Sequence, residues 1–123
     1  MSPLVLIYNL DAATEARLAA LCGKLGFRAR RVQPWEYGQP IGALAGLPAG
    51  KNAALSVEAF SEPMLVMCHM LSPQLDAFLQ AMRDERIPRV ALKAVLTPNN
   101  VAWNSAKLRD ELAREHEAMQ KRP

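Results

Sequence analysis

The residues with the clearest chemical potential in this sequence are polar side chains that follow its two most apolar runs. Asn9 and Asp11 follow the run 4–8, and His69 follows the run 64–68. In an open parallel sheet such residues flank the crevice in which ligands bind. Asp11 also suits the cap of the next helix, where its carboxylate accepts hydrogen bonds from free amides. The pattern predicts a small polar site and does not name a reaction.

A second polar group lies in a turn near residue 100. Thr97, Asn99 and Asn100 surround a proline, and Asn side chains in such turns bond to their own backbone. Trp103 follows and can stack on a flat ligand or cover the end of the core. We add these four residues to Asn9, Asp11 and His69 as candidate ligand-binding residues.

No motif in the sequence supports a specific reaction. The pair Cys68-His69 suggests a thiolate–imidazole couple, but neighbouring residues of a regular strand point to opposite faces. Cys22, Cys68, His69 and His116 do not have the spacing of zinc ligands. No glycine-rich phosphate loop, nucleophile motif or HExxH pair is present. The sequence therefore predicts no catalytic residue, no metal site and no cofactor, and it favours a protein that is not an enzyme.

Composition places the chain among ordinary globular domains. Its 123 residues, half of them apolar, predict one domain over 1–123 with a core of its own. The two cysteines are too few for a disulfide framework, and no apolar run is long enough to span a membrane. The cytoplasm is the expected location. A net charge of +3 permits contact with nucleic acid without arguing for it.

The sequence contains an internal repeat, with pseudo-repeats at 3–48 and 63–116 joined by residues 49–62. Each copy reads as a buried strand, a capped amphipathic helix, a second strand and a turn that contains proline. The second strand of the first copy carries Arg28, Arg30 and Arg31, which is typical of a guarded sheet edge. The same three arginines could instead bind phosphates.

Two β-α-β-(α) units around a four-stranded sheet satisfy this pattern. The first and third strands are the most apolar and are predicted to be central. A ferredoxin-like antiparallel sheet is the favoured arrangement. A doubly wound parallel sheet, with the short helix near 41–47 in its return crossover, is the alternative.

The second half resembles a known family. The pattern consists of IPR at 87–89, LKAVLTPNN at 92–100, WN at 103–104 and a helix over 108–116. It is similar to the uncharacterised bacterial family called domain of unknown function 3783, over roughly the last sixty residues of this chain. The family has no established activity, so the resemblance implies kinship and no chemistry.

Three functions remain open at this level. The favoured one is a non-enzymatic binding or regulatory module that self-associates through an edge strand or the C-terminal helix. The second is a small enzyme with a polar site at the strand ends. The third is weak nucleic-acid binding by the arginine strand together with Trp35 or Trp103, which we regard as less favoured. The small-molecule ligand, if the module has one, is not identified by the sequence.

Overall fold

The computed structural model describes residues 2–48 and 57–120. Its elements are β1 (Leu4–Tyr8), α1 (Ala12–Lys24), β2 (Arg28–Arg31), a 3₁₀ turn (Pro34–Glu36), α2 (Ile41–Leu44), β3 (Met64–Cys68), α3 (Ser72–Asp84), β4 (Leu92–Val95) and α4 (Ser105–Gln120). β1 coincides with the predicted strand 4–8, whereas β2, β3 and β4 are shorter than the strands predicted at 27–32, 64–70 and 90–96. Of the predicted connection 49–62, residues 49–56 lie outside the described residues.

The four strands form one mixed sheet in the order β2-β1-β3-β4. β1 pairs with β2 in parallel, and β3 pairs with β4 in parallel. The two central strands pair antiparallel, with Leu4 opposite Cys68 and Tyr8 opposite Met64. The prediction that the first and third strands are central is therefore confirmed, because their continuous apolar runs are buried on both faces.

The finer topology expected from the sequence differs from the one observed. The sheet is not the antiparallel ferredoxin-like sheet, and it is not the doubly wound parallel sheet. In the ferredoxin-like order each edge strand pairs with the central strand of the other half. Here each edge strand pairs with the central strand of its own half, so each β-α-β unit is complete before the two units meet. Both orders bury the same residues, and the apolar pattern cannot distinguish them.

Helices cover both faces of the sheet. On the first face, residues of α1 and α3 such as Leu18 and Phe78 pack against Val5 and Leu65. On the second face, α2 and α4 pack against the other side of the same strands, with Tyr8 at the centre. Strand residues alternate between these two cores, as their period of two requires. The sheet thus holds both halves of the chain in one structure.

Corresponding positions of the two β-α-β units share positive φ angles. Asn9 and His69, each one residue past a central strand, have left-handed φ angles of 58° and 61°. Gly26 and Arg86, each just past a helix, have φ angles of 75° and 54°. The left-handed conformation costs a non-glycine residue about 1–2 kcal/mol. The second copy therefore carries strain at Arg86 that the first copy avoids with glycine.

This difference gives a paired prediction. Arg86→Gly is expected to raise the free energy of unfolding by roughly 0.5–1 kcal/mol, because the strain it removes exceeds the added entropy of the unfolded chain. Gly26→Ala is expected to lower it by about 1 kcal/mol through strain alone, since a Cβ there meets no atom within 4 Å. Urea unfolding followed by circular dichroism measures both changes. Two shifts of the same sign would contradict the prediction.

Candidate functional site

The polar residues at the strand ends do not form one group. Because β1 and β3 run antiparallel, Asn9 lies beside the start of β3, and His69 lies beside the start of β1. A five-residue strand spans about 17 Å at about 3.4 Å per residue. Asn9 and His69 therefore lie at opposite ends of the sheet, and no single small-molecule pocket contains both.

Asn9 connects β1 to the segment before β3. Its Nδ2 donates to the carbonyl oxygens of Phe60 and Glu62 at 2.8 and 3.1 Å, and its Oδ1 accepts from the Tyr37 hydroxyl at 3.2 Å. The left-handed backbone of Asn9 permits this geometry, and asparagine tolerates it better than most residues. Its amide is thus used to join three parts of the chain.

Asp11 has the capping role that its position predicts. Its carboxylate accepts from the Thr14 amide at 3.0 Å and from the Thr14 hydroxyl at 2.7 Å. These hydrogen bonds to Thr14 stabilise the ionised form and hold the pKa of the Asp11 carboxyl below its usual range. The side chain begins α1, and its exposure leaves the carboxylate in contact with solvent.

His69 connects β3 to the segment that follows α2. Its Nε2 lies 2.9 Å from the carbonyl oxygen of Ala45. Because a carbonyl oxygen only accepts, Nε2 must carry the proton. The neighbouring Cys68 is buried in the core of the second face, and burial raises the pKa of its thiol to about 12. A thiol of that pKa is neutral at physiological pH and is not a nucleophile.

The turn near residue 100 is organised around Asn100, which is buried. Its Oδ1 accepts from the Thr97 amide at 2.9 Å, and its Nδ2 donates to the Val95 carbonyl oxygen at 3.0 Å. Asn99 is exposed. Trp103 packs partly against the second-face core, and the Lys107 ammonium lies 5.0 Å from its ring centroid. These four candidates share one region with each other but not with Asn9 or Asp11.

The two cysteines are buried in the core, and the three arginines of β2 contact other parts of this chain. Cys22 belongs to the first-face core and Cys68 to the second, so the sheet separates the two thiols. In the ranges 2–48 and 57–120, no cluster of three or more His, Cys, Asp or Glu side chains could hold a metal ion. Arg28 donates to the Ser2 carbonyl, Arg30 pairs with Glu36, and Arg31 pairs with Glu15. The arginine strand is thus an edge whose cations contact this chain.

A buried polar contact under α4 was not anticipated from the sequence. The hydroxyls of Tyr8 and Ser105 lie 2.7 Å apart, and both residues are fully buried. Burial raises the pKa of the Tyr8 phenol above its usual range. The rings of Tyr37 and Phe60 stack beside it at 4.5 Å. The two hydroxyls are 97 residues apart in sequence, so no local pattern could pair them.

The other surface that the sequence did not predict is the outer edge of β4, which pairs with no further strand among residues 2–48 and 57–120. We call it the free edge of β4. On the first face, Lys93 of this strand lines a cavity of about 390 Å³, and on the second face Leu92 lines one of about 410 Å³. A third cavity lies nearby, and Arg89 lines all three. The sequence signal was present: β4 contains one lysine, whereas β2 contains three arginines. We call this surface, made of β4 and the cavities on its two sides, the β4 edge.

The comparison with protein families concerns the half of the chain that carries the β4 edge. Residues 63–119 match the family model described as Domain of unknown function (DUF3783). This confirms the family resemblance of the second half. We call residues 63–119 the DUF3783 segment. It contains β3, α3 and β4, and nearly all of α4.

The remaining comparisons are brief. No curated protein matches the chain, and no solved structure matches it. Among the helices that the structure describes, none is both long and apolar enough to cross a membrane. The family match indicates kinship and names no activity. The proposed function therefore rests on the geometry of the β4 edge.

Proposed function

We propose that the protein is a non-enzymatic binding module whose β4 edge pairs with an extended segment of another polypeptide. The observation that carries this proposal is the presence of cavities on both faces of one free strand edge. The side chains of an added strand point alternately to the two faces. Strand addition uses main-chain hydrogen bonds for affinity and pockets for alternate side chains for specificity.

The main-chain groups needed for strand addition are available on β4. The Leu96 amide donates to the Met67 carbonyl oxygen at 2.9 Å, so even-numbered residues of this strand face β3. In a parallel ladder the residues between them face away. The amides and carbonyls of Lys93 and Val95 therefore point to the free edge, where a further strand could pair with them.

The opposite edge of the sheet fits this role less well. By the same rule, Ala29 and Arg31 of β2 face outward. Arginines occupy three of the four β2 positions, and charged side chains on an edge oppose pairing with another strand. β2 thus provides a matched control for any experiment on β4.

The strand-end residues support a binding role rather than a catalytic one. Asn9 and His69 hold distant segments together through hydrogen bonds, whereas Asn100 bonds within its own turn. Asn9 lies at the opposite end of the sheet from the other two. A polar active site would need such groups to converge on one substrate. Weak nucleic-acid binding has little support, because Arg28, Arg30 and Arg31 already contact this chain.

Self-association remains a prediction. Antiparallel pairing of two β4 strands about a twofold axis would place Arg83, Arg89 and Lys93 of both copies on one face, where like charges repel. The C-terminal helix is the better surface for a second copy. Its Met119 is 71% exposed beside a cavity lined by Ala91 and His116.

Selection from a phage library of random ten-residue peptides tests the proposed function. We expect enriched peptides to bind the wild-type chain and Ala29→Pro, and to lose at least tenfold in affinity with Val95→Pro. Proline removes an outward amide in both variants and tolerates an edge position. Light scattering of the same samples measures self-association through α4.

The selected peptides also allow a measurement on the unmodified chain. Hydrogen exchange at the amides of Lys93 and Val95 is expected to slow when a peptide is added. This result would stand even if Val95→Pro failed to fold. Enrichment that is equal on wild-type and a folded Val95→Pro, or peptides that leave both amides unprotected, would contradict the proposal.

A further inference from the structure

We infer that the segment bound at the β4 edge is acidic, with carboxylate side chains directed to the α3 side of the sheet. This inference rests on the proposed function and names the chemistry of the partner. The observation that supports it is the positive charge of the residues that line the first-face cavity. Among the described residues, its lining contains Arg83, Arg89 and Lys93 and no aspartate or glutamate.

In the part of the chain that the structure describes, the cations of this cavity have no ion-pair partner. The Arg83 guanidinium donates to the Gln80 side-chain oxygen at 2.7 Å, and the Lys93 ammonium donates to the Val90 carbonyl oxygen at 2.6 Å. Within 2–48 and 57–120, neither Arg89 nor Lys93 forms an ion pair. By contrast, Arg30 and Arg31 on the opposite edge are both paired with glutamates.

Proximity of the two cations makes an anion favourable there. Burial lowers the pKa of the Lys93 ammonium, and the nearby Arg89 guanidinium lowers it further. A carboxylate placed between them would offset that repulsion and form charge-assisted hydrogen bonds. The rest of the lining is apolar: Leu79, Met82, Ile87 and Val90. Such a cavity suits a carboxylate on an aliphatic stem, such as glutamate.

The second-face cavity calls for a different side chain. Leu92 and Ala113 contribute apolar surface, and Glu62 and Glu117 contribute carboxylates. Glu62 is paired with Arg109 at 3.2 Å. Arg89 also lines this cavity, so in the described part of the chain its lining has two carboxylates and one guanidinium, whereas the first-face lining has three cations and no carboxylate. The second face therefore lacks the excess of positive charge that would attract an anion, and an uncharged side chain fits it better. Because an added strand alternates between faces, the expected pattern is acidic, uncharged, acidic along the segment.

Charge also argues for a partner other than a second copy. This chain's own edge strand places Lys93 at the position where the partner needs a carboxylate. A lone lysine on an edge strand opposes pairing with an identical strand. An acidic strand would instead use the same lysine as a binding group.

Fluorescence anisotropy with three labelled nine-residue peptides tests the inference. In the first peptide Glu alternates with Val, in the second Lys alternates with Val, and in the third the residues of the first are segregated into a Glu block and a Val block. We expect the first to bind most tightly, at least tenfold better than the others. Its affinity should fall as salt rises, because ion pairs are screened.

Charge-reversal variants on the two edges of the sheet provide a test and its matched control. Arg89→Glu with Lys93→Glu should weaken the alternating Glu peptide at least tenfold. Arg28→Glu with Arg31→Glu gives the same change of net charge on β2 and should leave the affinity within twofold of wild-type. Equal losses in the two double variants would show that net charge alone attracts the peptide, and the inference would be overturned.

The outcomes separate this inference from the proposed function. If the lysine peptide or the block peptide binds as well as the alternating glutamate peptide, acidic strand recognition is wrong. If peptides selected from the random library still depend on the outward amide of Val95, strand addition stands while the acidic preference fails. If neither the selected nor the designed peptides respond to Val95→Pro, both fail.

Discussion

Replacing Phe78 with alanine is expected to lower the free energy of unfolding by about 3–5 kcal/mol. Phe78 is fully buried on the inner side of α3. It lies in the first-face core with Val5, Leu65 and Met82. Removing its ring takes away transfer free energy and leaves a cavity that the surrounding sheet cannot fill. A loss of this size is a large part of the roughly 5–15 kcal/mol that stabilises a typical domain.

The control for this prediction is Phe27→Ala. Phe27 lies 6.4 Å from Phe78 between ring centroids but is only partly buried. Since a partly exposed ring loses less on truncation, we expect less than half of the effect. Urea unfolding with linear extrapolation measures both variants. If Phe27→Ala cost as much as Phe78→Ala, the placement of α3 on the sheet would be wrong.

Alkaline pH is expected to destabilise the protein by several kcal/mol. Burial raises the pKa of the Cys22 thiol from 9.0 to about 11 and that of the Cys68 thiol from 9.0 to about 12. Above pH 9 the unfolded chain releases these protons while the folded chain retains them. Stability is therefore fully present below about pH 9 and is lost as pH rises towards 11–12. At about 1.4 kcal/mol per pKa unit, the two thiols together account for roughly 6–7 kcal/mol by the end of that range.

Urea titrations under reducing conditions at pH 7, 9, 10 and 11 test the pH dependence. The control is the double variant Cys22→Ala with Cys68→Ala, which should lose much less stability between pH 9 and pH 11. The comparison uses the change with pH, because the variant also loses packing at every pH. Some loss above pH 10 should remain, since burial also raises the pKa of Tyr8 and Tyr37. An unchanged slope in the variant would contradict the prediction.

In the candidate site, the sequence predicted contacts between residues close together in the chain but not contacts between distant residues. The capping role of Asp11 was predictable because its partner Thr14 is three residues away. The turn around Asn100 was predictable for the same reason, as Thr97 is also three residues away. Asn9 and His69 were recognisable as polar residues at strand ends, but their partners lie 51 and 24 residues away. Their roles in joining segments required the folded chain.

The β4 edge, by contrast, could not be predicted from any local pattern in the sequence. Each of its parts is ordinary in the sequence: a short strand with one lysine, an arginine before it and two flanking helices. The cavities combine residues of α3 on one face and of α4 on the other with Lys93 or Leu92 of β4, so they form only when these elements pack together. No spacing in the sequence indicates that Lys93 and Val95 face outward. That depends on which strand pairs with β4.

The sequence by itself determined the two central strands and the helices that follow them, because a strand buried on both faces has a continuous run of apolar residues. It also identified β2 as an edge, since three arginines cannot enter the interior of a sheet unpaired. Only the tertiary structure decided which strands are neighbours and in which direction they run. Pairing joins residues distant in sequence, and alternative orders bury the same side chains. That choice separated Asn9 from His69 and left β4 free to pair with a partner.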